Sequence, residues 1–140
     1  MTALPFSSNR RRRRSKQTLT ALSHQLEHIF EQQDLHNFTL GDERGLVIAQ
    51  AGNNHESEVF AAYAPVLCRS RNGRYRSQVL SRINSIVPTI TADSIHVRQF
   101  TVDGEPLFLT LVGRPGVYRD VGLYRAITGV RRILDEQPAA

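Results

Sequence analysis

The 140-residue sequence contains no tryptophan and a single cysteine, Cys68. One cysteine cannot form an internal disulfide, so a reducing, cytoplasmic compartment is the simplest expectation. No apolar run approaches the ~20 residues that a membrane-spanning helix needs. The N-terminus lacks the apolar core of a signal peptide, and there is no internal repeat. Phosphate-binding loops are missing too. "GRPG" lacks a Lys-Ser/Thr ending, and "AGNN" has one glycine. No catalytic constellation stands out, so the chain reads as a non-enzyme without a cofactor.

What is present is ordinary for a globular domain: 40% apolar and 22% charged residues. The length suits one domain with tails: a basic tail over 1–14, an α+β domain over 15–135 and a C-terminal tail over 136–140. The formal net charge is +5. Six positive charges belong to Arg10, Arg11, Arg12, Arg13, Arg14 and Lys16. Removing these six from +5 leaves −1 for everything else. The basicity therefore sits in a short run, which is read as disordered because like charges repel. That run is either a solvated tail or a contact to anionic lipid or nucleic acid. A nucleic-acid reader would carry basic residues over a folded face, with aromatics for stacking. Here the four tyrosines are scattered.

Leu19, Leu22, Leu26, Ile29 and Phe30 recur at helical spacing over about 15–33, with Ser15 as a candidate cap. "NFTL" and "GLVIAQ" flank the turn "GDER" and predict a hairpin. Asn53 or Asn54 caps the next helix, with Glu56 placed for a capping box. Val59, Ala62, Tyr63 and Val66 share one face of that helix, and Ala61, Ala64 and Leu67 widen it. Pro65 inside it removes a backbone hydrogen bond and bends it. Beyond a break at Asn72-Gly73, Val79, Leu80, Ile83, Ile86 and Val87 predict a further helix. "SIHVRQFTVDGEPLFLTLVG" is a hairpin with Asp103-Gly104 as a type I′ turn. Leu107–Val112 is apolar on both faces and must be covered on both. Leu123, Ile127, Val130 and Leu134 mark a last helix, where Gly122 and Gly129 allow close packing. The result is an antiparallel sheet of four to five strands with helices on both faces, an α+β domain.

His24 and His28 sit one helical turn apart with Glu31 on the same face, but no third strong ligand joins them, and a metal site is not expected. His36, His55 and His96 are isolated and read as ordinary surface or strand residues. Asp42 and Glu43 read as a solvated turn rather than an acid–base pair. Arg69 and Arg71 flank Cys68, yet no base accompanies it, and a partly buried inert thiol is expected.

The stretch Thr39–Pro65, together with "FTVDGEPLFLTLVG" and "AITGVRRIL", resembles the Roadblock / dynein light chain family of the bacterial GTPase-regulator type. Asp42, Gly45, Leu46, Ile48 and Ala49 follow the family's D-x-x-G hairpin pattern, and "EVFAAYAP" stands for its small-residue helix. One departure is visible: the family's third strand falls where Arg74–Val87 reads as helix, leaving 88–94 as the place for a fifth strand. A GAF- or profilin-like sensor domain, built from similar pieces, is the alternative. The resemblance implies a non-catalytic homodimer that binds, scaffolds or regulates a small Ras-like GTPase. It also implies that the small-residue helix lies near the dimer seam. Val59, Ala62, Tyr63 and Val66 are then candidates for the interface, or they simply cover the chain's own sheet.

Overall fold

The computed structural model describes residues 16–70, 72–88, 90–91, 94–113 and 120–135, and the side chains of 120–124 are not among those described. The expected tails, the Ser15 cap and the "GRPG" loop beyond Gly113 lie outside the described residues. In chain order the elements are α1 (Lys16–Gln32), β1 (Asn37–Asp42), β2 (Val47–Ala51), α2 (Asn54–Arg69), α3 (Gly73–Ile86), β3 (Ile95–Val102), β4 (Glu105–Val112) and α4 (Asp120–Asp135). The fold is α+β, with a four-stranded antiparallel sheet in the order β2-β1-β4-β3.

The alternation of β4 explains the layering. Leu107, Leu109 and Leu111 face α1 and α4 and join Leu22, Leu26, Phe38, Leu40, Ala126 and Val130 in one core. Phe108 and Val112 point the other way, toward α2 and α3, and join Phe60, Ala64, Leu67, Val79 and Ile83 in a second. A strand apolar on both faces is thus covered on both, as a buried central strand requires. β1 runs beside it from Asn37 opposite Val112 to Asp42 opposite Leu107. The two hairpins are stapled at this shared seam, and β2 and β3 become the edges.

Turn chemistry sets the register. Asp103 and Gly104 have φ of 52° and 78°, the left-handed pair that a type I′ turn demands. Between β1 and β2, Asp42 Oδ1 accepts from the backbone N–H of Arg44 (2.8 Å) and Leu46 (3.1 Å). Asp42 is buried, so the sequence expectation of a solvated carboxylate pair is corrected: Asp42 builds the turn, and only Glu43 is exposed. Among the described residues there is no fifth strand. Asn72 caps α3, accepting from Arg74 N and Tyr75 N. Ile90 N–H then bonds Val87 O, and Ser94 N–H bonds Thr91 O, which are turn contacts. In α4 the fully buried residue of its first described turn is Ala126, while Ile127 is half-buried. The close approach expected at Gly129 is to Gln25 of α1.

Among the described residues no helix is long and apolar enough to cross a membrane.

Truncating Leu109→Ala opens a cavity at the centre of the sheet and is expected to cost about 2–5 kcal/mol in urea unfolding. Thr110 Oγ1 is buried without a hydrogen-bond partner among the described residues. The isosteric Thr110→Val change is therefore expected to leave stability equal or higher in the same assay.

Candidate interaction surface on the second helix

α2 begins where Asn53 Oδ1 accepts the N–H of Glu56 at 3.0 Å. A full capping box would return the Glu56 carboxylate to the cap. Instead Glu56 Oε1 pairs with Nε2 of His36 at 2.7 Å, tying the helix start to the approach of β1. His36 is thus a partner of the helix rather than an isolated histidine, a pairing across twenty positions that no local pattern in the sequence announces.

Behind this pair lies a buried polar cluster. Asn37 Nδ2 donates to Ser57 Oγ at 2.9 Å, and Thr39 Oγ1 donates to Asn37 Oδ1 at 2.6 Å. The single proton of Ser57 serves Gln50 Oε1 (2.9 Å) or the carbonyl of Asn53 (3.0 Å). Gln50 Nε2 in turn donates to Asn54 Oδ1. Asn37 and Ser57 are both fully buried, and the bond between them is one of several that satisfy the pair, since Asn37 Nδ2 also reaches the Asn53 carbonyl at 3.4 Å. One serine thereby joins β1, β2 and α2.

One turn further along, the helix is seated by smallness. A Cβ on Gly41 would stand 3.2 Å from Ala61 Cβ, and one on Gly45 would stand 3.2 Å from Ala62 Cα. Gly45 also has φ of 80°, a conformation that disfavours any side chain. The alanines of α2 therefore have a role within the chain: they let the helix rest directly on the β1–β2 hairpin. The inward face is formed by Ser57, Phe60, Ala61, Ala64, Pro65 and Leu67, all buried.

The stripe singled out from the sequence lies on the other side. Ala62 is exposed, while Val59, Tyr63 and Val66 are half-buried and lean on the second core. Leu46, in the turn after Gly45, is 53% exposed, which is high for a leucine. At its C-terminal end the stripe meets an open groove of ≈ 550 Å³, lined by Val66, Arg69, Ser70, Asn72 and Tyr75. A GAF- or profilin-like ligand pocket would sit between sheet and helices. In this structure Phe108 and Val112 on one face of β4, and Leu107, Leu109 and Leu111 on the other, are fully buried among side chains, while this groove opens at the α2–α3 junction.

His24, His28 and Glu31 are exposed on α1, and no group of three metal-ligating side chains forms among the described residues. Cys68 is half-buried against the second core. Of the basic run, Lys16 alone falls within the described residues, exposed at the start of α1. Arg10, Arg11, Arg12, Arg13 and Arg14 lie outside them.

Ser57→Ala strips a buried hydrogen bond from the Asn37 amide and a part-buried one from Gln50. Its expected cost is about 1–3 kcal/mol in urea unfolding. An equal change at exposed Ser77 is expected to stay within about 0.5 kcal/mol.

No family model and no curated protein matches the chain. Among solved structures, Myxococcus xanthus MglB is similar to it, with 9% sequence identity and a TM-score of 0.55, over 90% of this chain and 96% of that one. At that identity the likeness is one of fold, and the fold is consistent with a Roadblock-like architecture.

Proposed function

We propose that this chain is a non-catalytic, homodimeric module of Roadblock type that binds or scaffolds a small Ras-like GTPase. The observation that carries the reading is the division of α2. Its inner face is committed to the chain's own sheet, and its outer stripe of Val59, Ala62, Tyr63 and Val66 remains partly open. The stripe is also self-complementary. Reversed about the midpoint between Ala62 and Tyr63, Val59 falls opposite Val66. An antiparallel pair of α2 helices about a two-fold axis would therefore meet apolar with apolar. That is the requirement of an isologous interface. The small side chain of Ala62 beside the axis permits close helix approach.

The GTPase half of the reading is supported by the resemblance of the hairpin and the small-residue helix to the Roadblock family, and by the fold shared with MglB. The role is one of binding: a dimer presents two copies of each surface to a partner. A cytoplasmic location accords with such a partner. The basic run Arg10–Arg14 with Lys16 would add attraction to an anionic surface, of order 1 kcal/mol per charge close to a lipid headgroup layer.

Light scattering on the full chain is expected to give twice the 15.8 kDa chain mass. Ala62→Glu places two carboxylates beside the axis and is expected to return the mass to that of one chain with unchanged circular dichroism and a lower thermal transition, because the partner's mass-action stabilisation is lost. A wild-type chain that stays monomeric at high concentration contradicts the dimer. For the partner, Ras-like GTPases from the same genome are each loaded with GDP or a non-hydrolysable GTP analogue. Saturable binding that depends on the nucleotide is expected for one of them, and its absence across the set contradicts that half of the reading.

A further inference from the structure

Charge is separated along this chain in a way that the net value hides. Between Glu58 and Asp93 the sequence carries five arginines and no carboxylate side chain. Residues 17–58 carry seven carboxylates against one arginine. In the fold, the first segment becomes the end of α2 and all of α3, and the second becomes α1, the β1–β2 hairpin and the start of α2. The α2–α3 elbow is thus a basic region beside the acidic β1–β2 hairpin and start of α2, while α4 carries Arg125, Arg131 and Arg132.

The open groove of ≈ 550 Å³ lies at this elbow. Two of its arginines are held in place. Arg76 Nη1 donates to the carbonyl of Leu67 at 2.8 Å, locking the start of α3 against the end of α2. The guanidinium of Arg69 sits 5.9 Å from the centroid of the Phe108 ring, a cation–π distance, so the groove wall carries a positioned charge. Arg74 is exposed on the first turn of α3. Beside it Tyr75 is 47% exposed, a large ring kept at the surface by a helix whose start Asn72 fixes.

We infer that the elbow binds an acidic segment of a protein partner. Carboxylates of that segment meet Arg69 and Arg74, and an apolar side chain enters the groove against Val66 and Tyr75. Two features favour this occupant. The arginine fork pairs with carboxylate and phosphate alike through two parallel hydrogen bonds, so the rest of the site makes the choice. The groove offers apolar surface that a phosphate backbone cannot use, and one tyrosine is not the row of stacking rings that single-stranded nucleic acid requires. The separation of charge also orients the molecule toward an acidic partner and raises the association rate. The inference goes beyond the proposed function, because its occupant is neither a second copy nor a GTPase. Arg74 and Tyr75 belong to α3, and Val66 at the groove's edge is shared with the α2 stripe.

The test uses the full chain with Arg10–Arg14 changed to Gln, which removes the competing basic run. The probe is a short fluorescein-labelled peptide alternating glutamate and leucine, followed by anisotropy at physiological salt. A glutamine–leucine peptide of equal length, a thymidine oligonucleotide and phosphatidylserine vesicles are the comparison ligands. Saturable binding of the acidic peptide is expected, at least about tenfold tighter than the glutamine peptide. Arg74→Glu and Tyr75→Ala are each expected to weaken it about tenfold or more, with unchanged circular dichroism and unchanged solution mass. Equal binding of the two peptides overturns the inference. So does tighter binding of the oligonucleotide or the vesicles, or indifference to both substitutions. Loss of binding that occurs only together with a change in solution mass also overturns it, and Arg44→Glu, an exposed arginine outside the elbow, is expected to leave peptide binding within about twofold.

Discussion

The direct seating of α2 on the β1–β2 hairpin is the constraint from which the rest of the architecture follows. Gly41 and Gly45 leave no side chain between the turn and Ala61 and Ala62. The Asn37–Ser57 hydrogen bond fastens the same contact one turn earlier. With the helix this close, Phe60, Ala64 and Leu67 reach across to Phe108 and Val112 of β4. That closes one side of a strand which α1 and α4 cover from the other. Pro65, which gives up a backbone hydrogen bond inside the helix, is buried in this contact face.

The same seating decides which side of the helix is left over. A helix pressed onto a sheet through alanines turns its other small residues outward, and Ala62 shows both effects. Its Cα lies against Gly45, while the residue remains exposed. The small residues thus serve two surfaces at once. On the inside they permit close packing within the chain. On the outside they leave a low, apolar strip bounded by Glu58 and Arg69. The functional reading rests on that outer strip, and the groove at its basic end extends it to a second kind of contact.

Much of this was legible in the sequence, for physical reasons that can be named. Period-two alternation, the Asp103-Gly104 pair and the doubly apolar Leu107–Val112 run gave both hairpins and the central strand, because these signals are local. The helix over Gly73–Ile86 was equally plain from its spacing and its Asn72 break. What escaped was contact between distant segments. Nothing near His36 marks Glu56 as its partner, and nothing near Asn37 marks Ser57. Asp42 looked like a solvated turn carboxylate because its burial depends on where the turn packs. In α2, spacing alone identified an apolar stripe at Val59, Ala62, Tyr63 and Val66, but the inward side is centred on Phe60, Ala61, Ala64 and Leu67. A helix apolar over so wide an arc does not declare which part of the arc faces the sheet.

The most direct test of the division of α2 is disulfide trapping across the two-fold axis. In a Cys68→Ser background, Ala62→Cys places a thiol beside the axis, while Ser77→Cys places one on the exposed side of α3. Cysteines can be bridged only when their Cα atoms come within about 7 Å. Under mild oxidation the account predicts rapid, near-complete linkage of chains at position 62 and little at position 77. Equal, slow linkage at both positions would show that the outer side of α2 meets solvent rather than a second copy, and would contradict the account.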